Sequence, residues 1–156
     1  WHVGDDDRWS QFGISLKPWR KDGDFILLLP QRGYGERGVA MPREWTDHTA
    51  KRLKTLTTRP VRVRKHPGMN RSGLHRDFVD CWAAVTWGSG AAIKAIVAGI
   101  PVFYSLEKWI GGPAATFGLF GEPYLGDRLP MLHRLSWAQF TVEEVASGEP
   151  FRWLLK

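Results

Sequence analysis

The stretch Ala84–Phe103, AVTWGSGAAIKAIVAGIPVF, decides the fold of this chain. Residues 84–87 are apolar and β-prone, and Gly88–Gly90 let the backbone turn sharply. Residues 91–98 favour a helix, which Gly99 closes at the C′ position before a second strand. The stretch therefore predicts strand, turn, helix and strand with almost no linking residues. A helix that begins at the end of a strand presents N–H groups and a positive end to an anion, which indicates a phosphate site.

Upstream segments extend this pattern into a series of alternating strands and helices. The run DFILLLP at residues 24–30 is continuously apolar, which is typical of a strand buried on both faces. Pro42 suits the first position of a helix over residues 43–56, and a strand is predicted over residues 61–64. A short helix over residues 72–79 precedes the central stretch. The alternation predicts an α/β fold, a single Rossmann-like domain with a parallel sheet of about four or more strands flanked by helices.

The two ends of the chain differ from this core. Residues 1–23 carry an acidic cluster and scattered tryptophans, which predict an irregular lead-in. Residues 105–156 are interrupted by glycine and proline and predict a loop-rich segment in which helices return only near the end. There, Thr141 with Glu144 is typical of a capping box. At 156 residues, the chain is predicted to form one domain.

Composition places the chain among globular proteins. Its 43% apolar and 24% charged residues argue against disorder, and its one cysteine excludes an internal disulfide. No apolar run approaches membrane-spanning length, so we predict a cytoplasmic protein with no transmembrane segment. The net charge of +6 is concentrated in residues 51–76, which contain no acidic residue. This segment is suited to a polyanion, and a solvated protein face is the alternative.

A cation and an imidazole follow the strand predicted over residues 61–64. Pro67 favours an extended conformation of His66, so we expect its imidazole to project into the crevice at the sheet edge. Arg64 and Lys65 lie beside it and can approach a phosphate. A neutral imidazole donates one N–H, and a protonated one adds positive charge to the site. A loop-stabilising His-Pro step is the alternative interpretation.

A glycine-rich segment follows the first predicted strand. Residues 33–38, GYGERG, match the G-x-G-x-x-G pattern, but a dinucleotide fingerprint requires the helix to open within the motif. Four residues intervene here before helical periodicity begins. We interpret the segment as a loop that closes over a ligand, with a surface turn as the alternative. Glu107, beyond the last predicted strand, is placed to hold ribose hydroxyls or to be a surface carboxylate.

Three motifs occur together in residues 24–104, namely a buried strand ending in Leu29-Pro30-Gln31, the step Arg64-Lys65-His66-Pro67, and Thr86-Trp87-Gly88-Ser89-Gly90 ahead of Gly99-Ile100-Pro101-Val102. With them the chain resembles the nucleotide-binding half of GT-B glycosyltransferases, most closely the bacterial capsule-polysaccharide transferases of the Kdo and sialic acid type. The chain departs from that family in the residues after Gln31 and in Lys94-Ala95, where the family has Glu. The tail from Leu135 to Gly148 is similar to a terminal motif of phage-encoded proteins of this kind.

The resemblance implies that His66 and Ser89, with the amide of Gly90, hold the phosphate of a nucleotide-sugar donor. We also predict that Lys65 and Thr86 bind this phosphate and that His66 is the catalytic residue. Further ligand contacts are predicted at a second set of positions, namely Gln31, Arg32, Gly33, Gly35, Arg64 and Glu107.

The predicted function is transfer of a sugar from an activated nucleotide to a hydroxyl acceptor, either a polysaccharide or a modified DNA base. No metal site and no cofactor besides the donor are predicted. Because GT-B enzymes have two halves, we expect a second domain or a second copy of the chain to complete the cleft. One alternative is a non-enzymatic nucleic-acid or nucleotide-binding module that uses residues 51–76. A third candidate is an NADP-type oxidoreductase.

Overall fold

The structure is a computed structural model that describes residues 7–65 and 73–155. These residues form two compact units, one of residues 15–127 and one of residues 7–14 with 128–155. The first unit contains five strands, namely β1 (Phe25–Leu29), β2 (Val61–Val63), β3 (Cys81–Thr86), β4 (Val102–Tyr104) and β5 (Thr116–Phe117). Its helices are α1 (Trp45–Leu56), α2 (Leu74–Asp77) and α3 (Gly90–Val97), with a 3-10 turn at Gly112–Ala114. The second unit contains a 3-10 turn at Ser10–Phe12 and the helices α4 (Leu129–Ser136), α5 (Val142–Ala146) and α6 (Glu149–Leu154).

The five strands form one parallel sheet in the order β2-β1-β3-β4-β5. The prediction of a parallel, Rossmann-like α/β sheet flanked by helices is therefore confirmed. From β1 the chain crosses to one side to form β2, and from β3 it crosses to the other side to form β4 and β5. The strand order thus reverses between β1 and β3, which we call the switch point. In open α/β sheets, ligands bind at the carboxyl ends of the strands beside such a point.

Helices α1 and α3 cover opposite faces of this sheet. The crossover from β1 to β2 and the crossover from β3 to β4 run in opposite directions. Because such crossovers are almost always right-handed, their helices lie on opposite faces. Trp45 and Leu53 of α1 share one buried cluster with Ile26 and Leu28 of β1, whereas α3 packs against β3 and β4. The central strands β1 and β3 are buried along their whole length, as the continuous apolar run in β1 predicts.

A β-bulge at Trp82 interrupts the regular pairing of β1 with β3. Phe25 pairs with Cys81 while Ile26 pairs with Ala83, so Trp82 is the extra residue on β3. The bulge places the Trp82 ring in the same buried cluster as Ala83 and next to the rings of Phe103 and Phe120, with centroids 6.2 and 5.7 Å away.

The segment before β1 runs along the amino ends of the strands without helix or strand of its own over residues 15–23. The Lys17 and Arg20 N–H groups donate to the carbonyls of Val97 and Gly99, at 3.1 and 2.6 Å. Gly99 has a φ of 75°, and a Cβ there would lie 2.0 Å from the Pro18 carbonyl oxygen. The predicted role of Gly99 in closing α3 is therefore confirmed, and the same residue makes room for the preceding segment.

In the second unit, Arg8 joins the N-terminal segment to the C-terminal helices. Its guanidinium donates to the Ser136 carbonyl and to both carboxylate oxygens of Glu144, at 2.8, 2.5 and 2.5 Å. It also lies 4.8 Å from the centroid of the Phe140 ring. Glu144 completes the predicted capping box with Thr141, both of whose bonds are present. The ion pair holds the pKa of the Glu144 carboxyl at about 2, mainly through the hydrogen bond from Arg8.

Three local predictions need correction. Helix α1 begins at Trp45 after Glu44, not at Pro42, because residues 42–45 first form a separate turn in which the Trp45 N–H donates to the Pro42 carbonyl. Strand β3 begins at Cys81, upstream of Ala84. Helix α4 occupies a part of the C-terminal third where no helix was expected, since Pro130 suits the start of a helix as well as a loop. Within residues 7–65 and 73–155, no helix combines the length and the apolar character that crossing a membrane requires.

Candidate functional site at the carboxyl edge of the sheet

The turn between β3 and α3 is held by the side chain of Thr86, the last residue of β3. This residue is fully buried, and its hydroxyl donates to the Leu29 carbonyl at the end of β1, at 3.0 Å. The same oxygen accepts the Ser89 N–H at 2.9 Å. One buried hydroxyl therefore ties the ends of both switch-point strands to the turn. Thr86 was predicted to bind phosphate, and its geometry gives it a supporting position beneath the turn.

Ser89 is the N-cap of α3, which begins at Gly90, one residue before the predicted start. Its backbone is extended, and its hydroxyl oxygen accepts the Ala91 N–H at 3.2 Å. The Ala92 N–H donates to the Ser89 carbonyl at 3.1 Å. Among the described residues, the exposed Gly90 N–H has no hydrogen-bond acceptor. The N-terminus of α3 thus offers an accessible N–H at the positive end of the helix, a geometry suited to an anion.

The two glycines of this turn have different structural roles. A Cβ at Gly88 would lie 2.9 Å from Leu106 Cδ2 and 3.2 Å from Trp109 Cδ1, so the turn packs directly on the segment that follows β4. A Cβ at Gly90 would meet no atom within 4 Å. The space beside Gly88 is therefore filled by the Leu106 and Trp109 side chains, whereas the space beside Gly90 is open. Open space at this point is what a bound ligand would need.

Gln31 connects the two sides of the switch point. It follows β1, and its side-chain amide donates to the Gly88 carbonyl at 2.9 Å. The Gln31 N–H also lies 3.3 Å from the sulfur of Met41, which closes the base of the glycine-rich loop. Gln31, which was predicted to contact a ligand, thus braces the turn between β3 and α3.

The glycine-rich loop is pinned at its base and exposed beyond it. Gly33, Gly35 and Gly38 have φ values of 73°, 135° and 89°, conformations that glycine adopts without strain. The Trp87 indole N–H donates to the Val39 carbonyl at 2.8 Å, which fixes the returning end of the loop to the end of β3. Residues 32–38 are exposed. The loop after β1 and the turn after β3 therefore meet at the carboxyl ends of the strands, and no helix opens within the glycine motif.

The residues after β2 are only partly described. The Arg64 guanidinium pairs with the Asp77 carboxylate at the end of α2, and the backbone N–H of Arg64 donates to the Leu28 carbonyl. Lys65 is exposed after the end of β2, the strand next to β1. His66, the predicted catalytic residue, lies outside the described residues. The expected convergence of His66 and Ser89 therefore stays a prediction.

A cleft of about 420 Å³ opens at the same edge of the sheet. We call it the carboxyl-edge cleft, and its lining includes Val39, Trp87, Leu106, Glu107, Lys108 and Phe117. These residues follow the carboxyl ends of β1, β3 and β4 or end β5. Of the predicted ligand contacts that the structure describes, only Glu107 lines it. Trp87 in its lining is two residues before Ser89, so their Cα atoms lie at most roughly 7 Å apart.

Several arginines of the basic segment take part in contacts within the protein. Arg59 donates to the Gly23 carbonyl and to the Asp22 carboxylate, at 2.9 and 2.7 Å, and its guanidinium lies over the Trp82 ring. The Arg62 guanidinium lies 3.7 Å from the centroid of the Phe25 ring. Together with the pairing of Arg64, these contacts involve three arginines of the segment, whereas Lys51, Arg52 and Lys54 on α1, and Lys65 and Arg76, are exposed. The basic segment is therefore less of a continuous cationic stripe than its sequence indicates.

No group of three or more His, Cys, Asp or Glu side chains is placed to hold a metal ion within residues 7–65 and 73–155. No protein-family model, no curated protein and no solved structure matches the chain. The fold and the geometry of its own residues are therefore the grounds on which a function can be assigned.

The sequence does not identify Trp87, Lys108 and Phe117 as parts of the carboxyl-edge cleft. Phe117 lies in a strand of two residues, which is too short to give a period-two pattern. Trp87 was one of nine tryptophans, and nothing in the sequence separates one with a ring at the sheet edge from one in the core. The one local signal is that Trp87 is the last residue of a predicted strand.

Proposed function

We propose that this chain is a nucleotide-binding domain of a glycosyltransferase and that it holds the phosphate of a nucleotide-sugar donor at the N-terminus of α3. The observation that carries the nucleotide-binding part is the arrangement at the switch point. There, the exposed N–H of Gly90, the Ser89 cap and the Gln31 brace come together on the end of β1 and β3. The transferase part rests on the motif resemblance in residues 24–104.

In the proposed reaction, the bond between the anomeric carbon of the sugar and the donor phosphate oxygen breaks as the acceptor hydroxyl attacks that carbon. The departing phosphate gains negative charge, which the Gly90 N–H and the positive end of α3 would stabilise. Lys65 and His66 would add charge and a hydrogen bond from the end of β2. The acceptor proton would go to a base in a second domain or a second copy of the chain. The acceptor remains a polysaccharide or a hydroxylated DNA base.

A nucleic-acid-binding module is the competing proposal, and the contacts of the basic segment weigh against it. Arg59, Arg62 and Arg64 are used in ion pairs and ring contacts, which leaves fewer cations to neutralise a phosphate backbone. Salt dependence separates the two functions. Affinity for a DNA backbone falls steeply as salt rises, whereas binding of one nucleotide in a pocket changes little.

The test is a calorimetric titration with uridine, cytidine, adenosine and guanosine diphosphates, made on two substitutions of one residue. Gly90→Asp places a carboxylate in the open space before α3, where it stabilises the helix N-terminus by about 0.3–1 kcal/mol. It also repels a bound phosphate by about 1–3 kcal/mol, which is roughly 5- to 150-fold in affinity. Gly90→Asn has nearly the same shape without the charge and is the matched control. We expect Gly90→Asp to fold at least as well as the wild type and to bind nucleotide much more weakly than Gly90→Asn.

Equal affinity of the aspartate and asparagine variants would show that the phosphate does not bind at α3. The transferase part has its own test, which is sugar transfer by His66→Ala in the presence of the completing domain. We expect this variant to retain its fold and to lose turnover. Unchanged transfer would remove His66 from the reaction.

A further inference from the structure

We infer that the carboxyl-edge cleft is a nucleoside subsite in which the base stacks on Phe117 and the ribose hydroxyls reach Glu107. This inference deepens the proposed function and rests on it, since the phosphate of the same ligand would lie at α3. Its own evidence is the lining of the cleft, which does not depend on the helix end.

Phe117 is an exposed aromatic ring on a rigid support. It ends β5, the edge strand of the sheet, and the residue is 62% exposed. Its ring meets that of Tyr104 at 72° with centroids 5.4 Å apart. Tyr104 is buried in β4 and packs in turn on Trp109, at 5.3 Å. The ring is therefore held in place from within the protein while most of its surface faces the cleft or solvent, which is the arrangement of a stacking platform.

The other apolar lining of the cleft is also fixed by contacts within the protein. Trp87 is tied to the Val39 carbonyl through its indole N–H, and its ring packs edge-on against Trp45 with centroids 6.1 Å apart. Leu106 is held beneath Gly88, and its N–H donates to the Trp87 carbonyl at 2.8 Å. A pocket whose walls are set before binding suits a flat, rigid ring, because little side-chain order has to be gained on binding.

The polar groups of the cleft favour a nucleoside over a free sugar. Glu107 and Lys108 are exposed neighbours at its rim, and a carboxylate accepts hydrogen bonds from two adjacent hydroxyls. The third polar side chain, Ser105, already accepts the Trp45 indole N–H at 3.2 Å. A sugar buried here would leave several hydroxyls without partners, which is costly. A base presents two apolar faces, and its ribose needs only the partners that the rim provides.

The size and place of the cleft are consistent with one nucleoside that continues to the phosphate position. Its volume of about 420 Å³ lies within the usual range of small-ligand pockets. Trp87 borders the cleft, and Ser89 follows two residues later at the start of α3. The proposed ligand therefore has its base at Phe117 and its phosphates at Gly90, with Trp87 between the two positions.

The experiment compares Phe117→Ala with Val79→Ala in calorimetric titrations. Val79 is a suitable control because it is 60% exposed and stands in the turn before β3, at the opposite edge of the sheet. The probes are the four nucleoside diphosphates and inorganic pyrophosphate, which has the phosphates but no base. We expect Phe117→Ala to weaken binding of at least one nucleoside diphosphate by roughly 5- to 150-fold and to leave pyrophosphate binding unchanged. Val79→Ala should change neither.

The failures of the two proposals give different results. If Gly90→Asp weakens pyrophosphate binding but Phe117→Ala leaves nucleotide affinity unchanged, the nucleoside subsite is overturned and the phosphate site is supported. Equal weakening of pyrophosphate and nucleotide by Phe117→Ala would also overturn the subsite, since the ring would then act through the fold. If Phe117→Ala weakens nucleotide binding but Gly90→Asp leaves nucleotide affinity unchanged, the nucleoside subsite is supported and the phosphate site at α3 is overturned. Tighter, steeply salt-dependent binding of single-stranded oligonucleotides would overturn both in favour of nucleic acid.

Discussion

Replacing Thr86 with valine tests whether a buried hydroxyl holds the switch point together. Valine has nearly the same shape as threonine and can make neither of the two hydrogen bonds of Oγ1. The substitution leaves the Leu29 carbonyl and the Ser89 N–H without their partner, the hydroxyl of Thr86. Thr86 itself is 0% exposed. Any loss of stability therefore reports the hydrogen bonds and not a cavity.

The expected magnitude follows from the burial of the two partners. An unsatisfied buried polar group costs about 1–3 kcal/mol, and an ordinary hydrogen bond contributes about 0.5–1.5 kcal/mol. The larger range applies to the buried Leu29 and the smaller one to the half-buried Ser89, which water can reach. We therefore expect Thr86→Val to lower the free energy of unfolding by about 2–4 kcal/mol.

Urea denaturation followed by tryptophan fluorescence measures this difference by linear extrapolation. Thr86→Ser is the matched control, because it keeps the hydroxyl and loses one methyl group, at about 1 kcal/mol. Nucleotide affinity should also fall in Thr86→Val, since the Ser89 N–H loses the bond that orients the turn. A valine variant that is as stable as the wild type, or more stable than the serine variant, would refute this role of Thr86.

Three further expectations concern the segments around the site. An alanine in the left-handed conformation of Gly99 costs roughly 1–2 kcal/mol. Gly99→Ala should destabilise the protein by more than this, because the new Cβ also clashes with the Pro18 carbonyl. An unchanged free energy of unfolding in urea would contradict this expectation. The pKa of Glu144 is lowered from its usual value near 4.5 to about 2. The pairing with Arg8 therefore stabilises the fold fully at pH values above the usual pKa, and this stabilisation is lost as the pH falls toward 2. Circular dichroism melts should show this loss in the wild type and a flatter acid profile in Glu144→Gln; parallel profiles would argue against the pair. Burial raises the pKa of the Cys81 thiol to about 11, so a thiol reagent at pH near neutral should react only after unfolding. Fast reaction of the native protein would place that thiol at the surface.

The core of the fold was predictable from the sequence because its signals are local. The apolar run of β1 and Gly99 each fix one element boundary by short-range chemistry, and the structure confirms both. The capping box at Thr141 and Glu144 is a signal of the same kind. Alternating strands and helices then imply a parallel sheet, whatever the details of the loops.

The parts that the sequence did not predict depend on contacts between distant residues. The bulge at Trp82 is visible only in the pairing of β3 with β1. The brace from Gln31 to Gly88 joins residues 57 positions apart, and the sequence gives no measure of that approach. Phe117 became part of a cleft only because β5 pairs with β4. The pairing of Arg64 with Asp77 is likewise not visible in the sequence, where the basic segment is continuous.

The most direct test of phosphate binding at the switch point is an amide chemical-shift titration of the isotope-labelled protein with a nucleoside diphosphate. We expect the Gly90 amide to show one of the largest shifts, with Ser89 and Ala91 next, because a phosphate at the start of α3 would accept the Gly90 N–H directly. If the titration saturates with shift changes at other amides but none at these three, a phosphate site at this helix is contradicted.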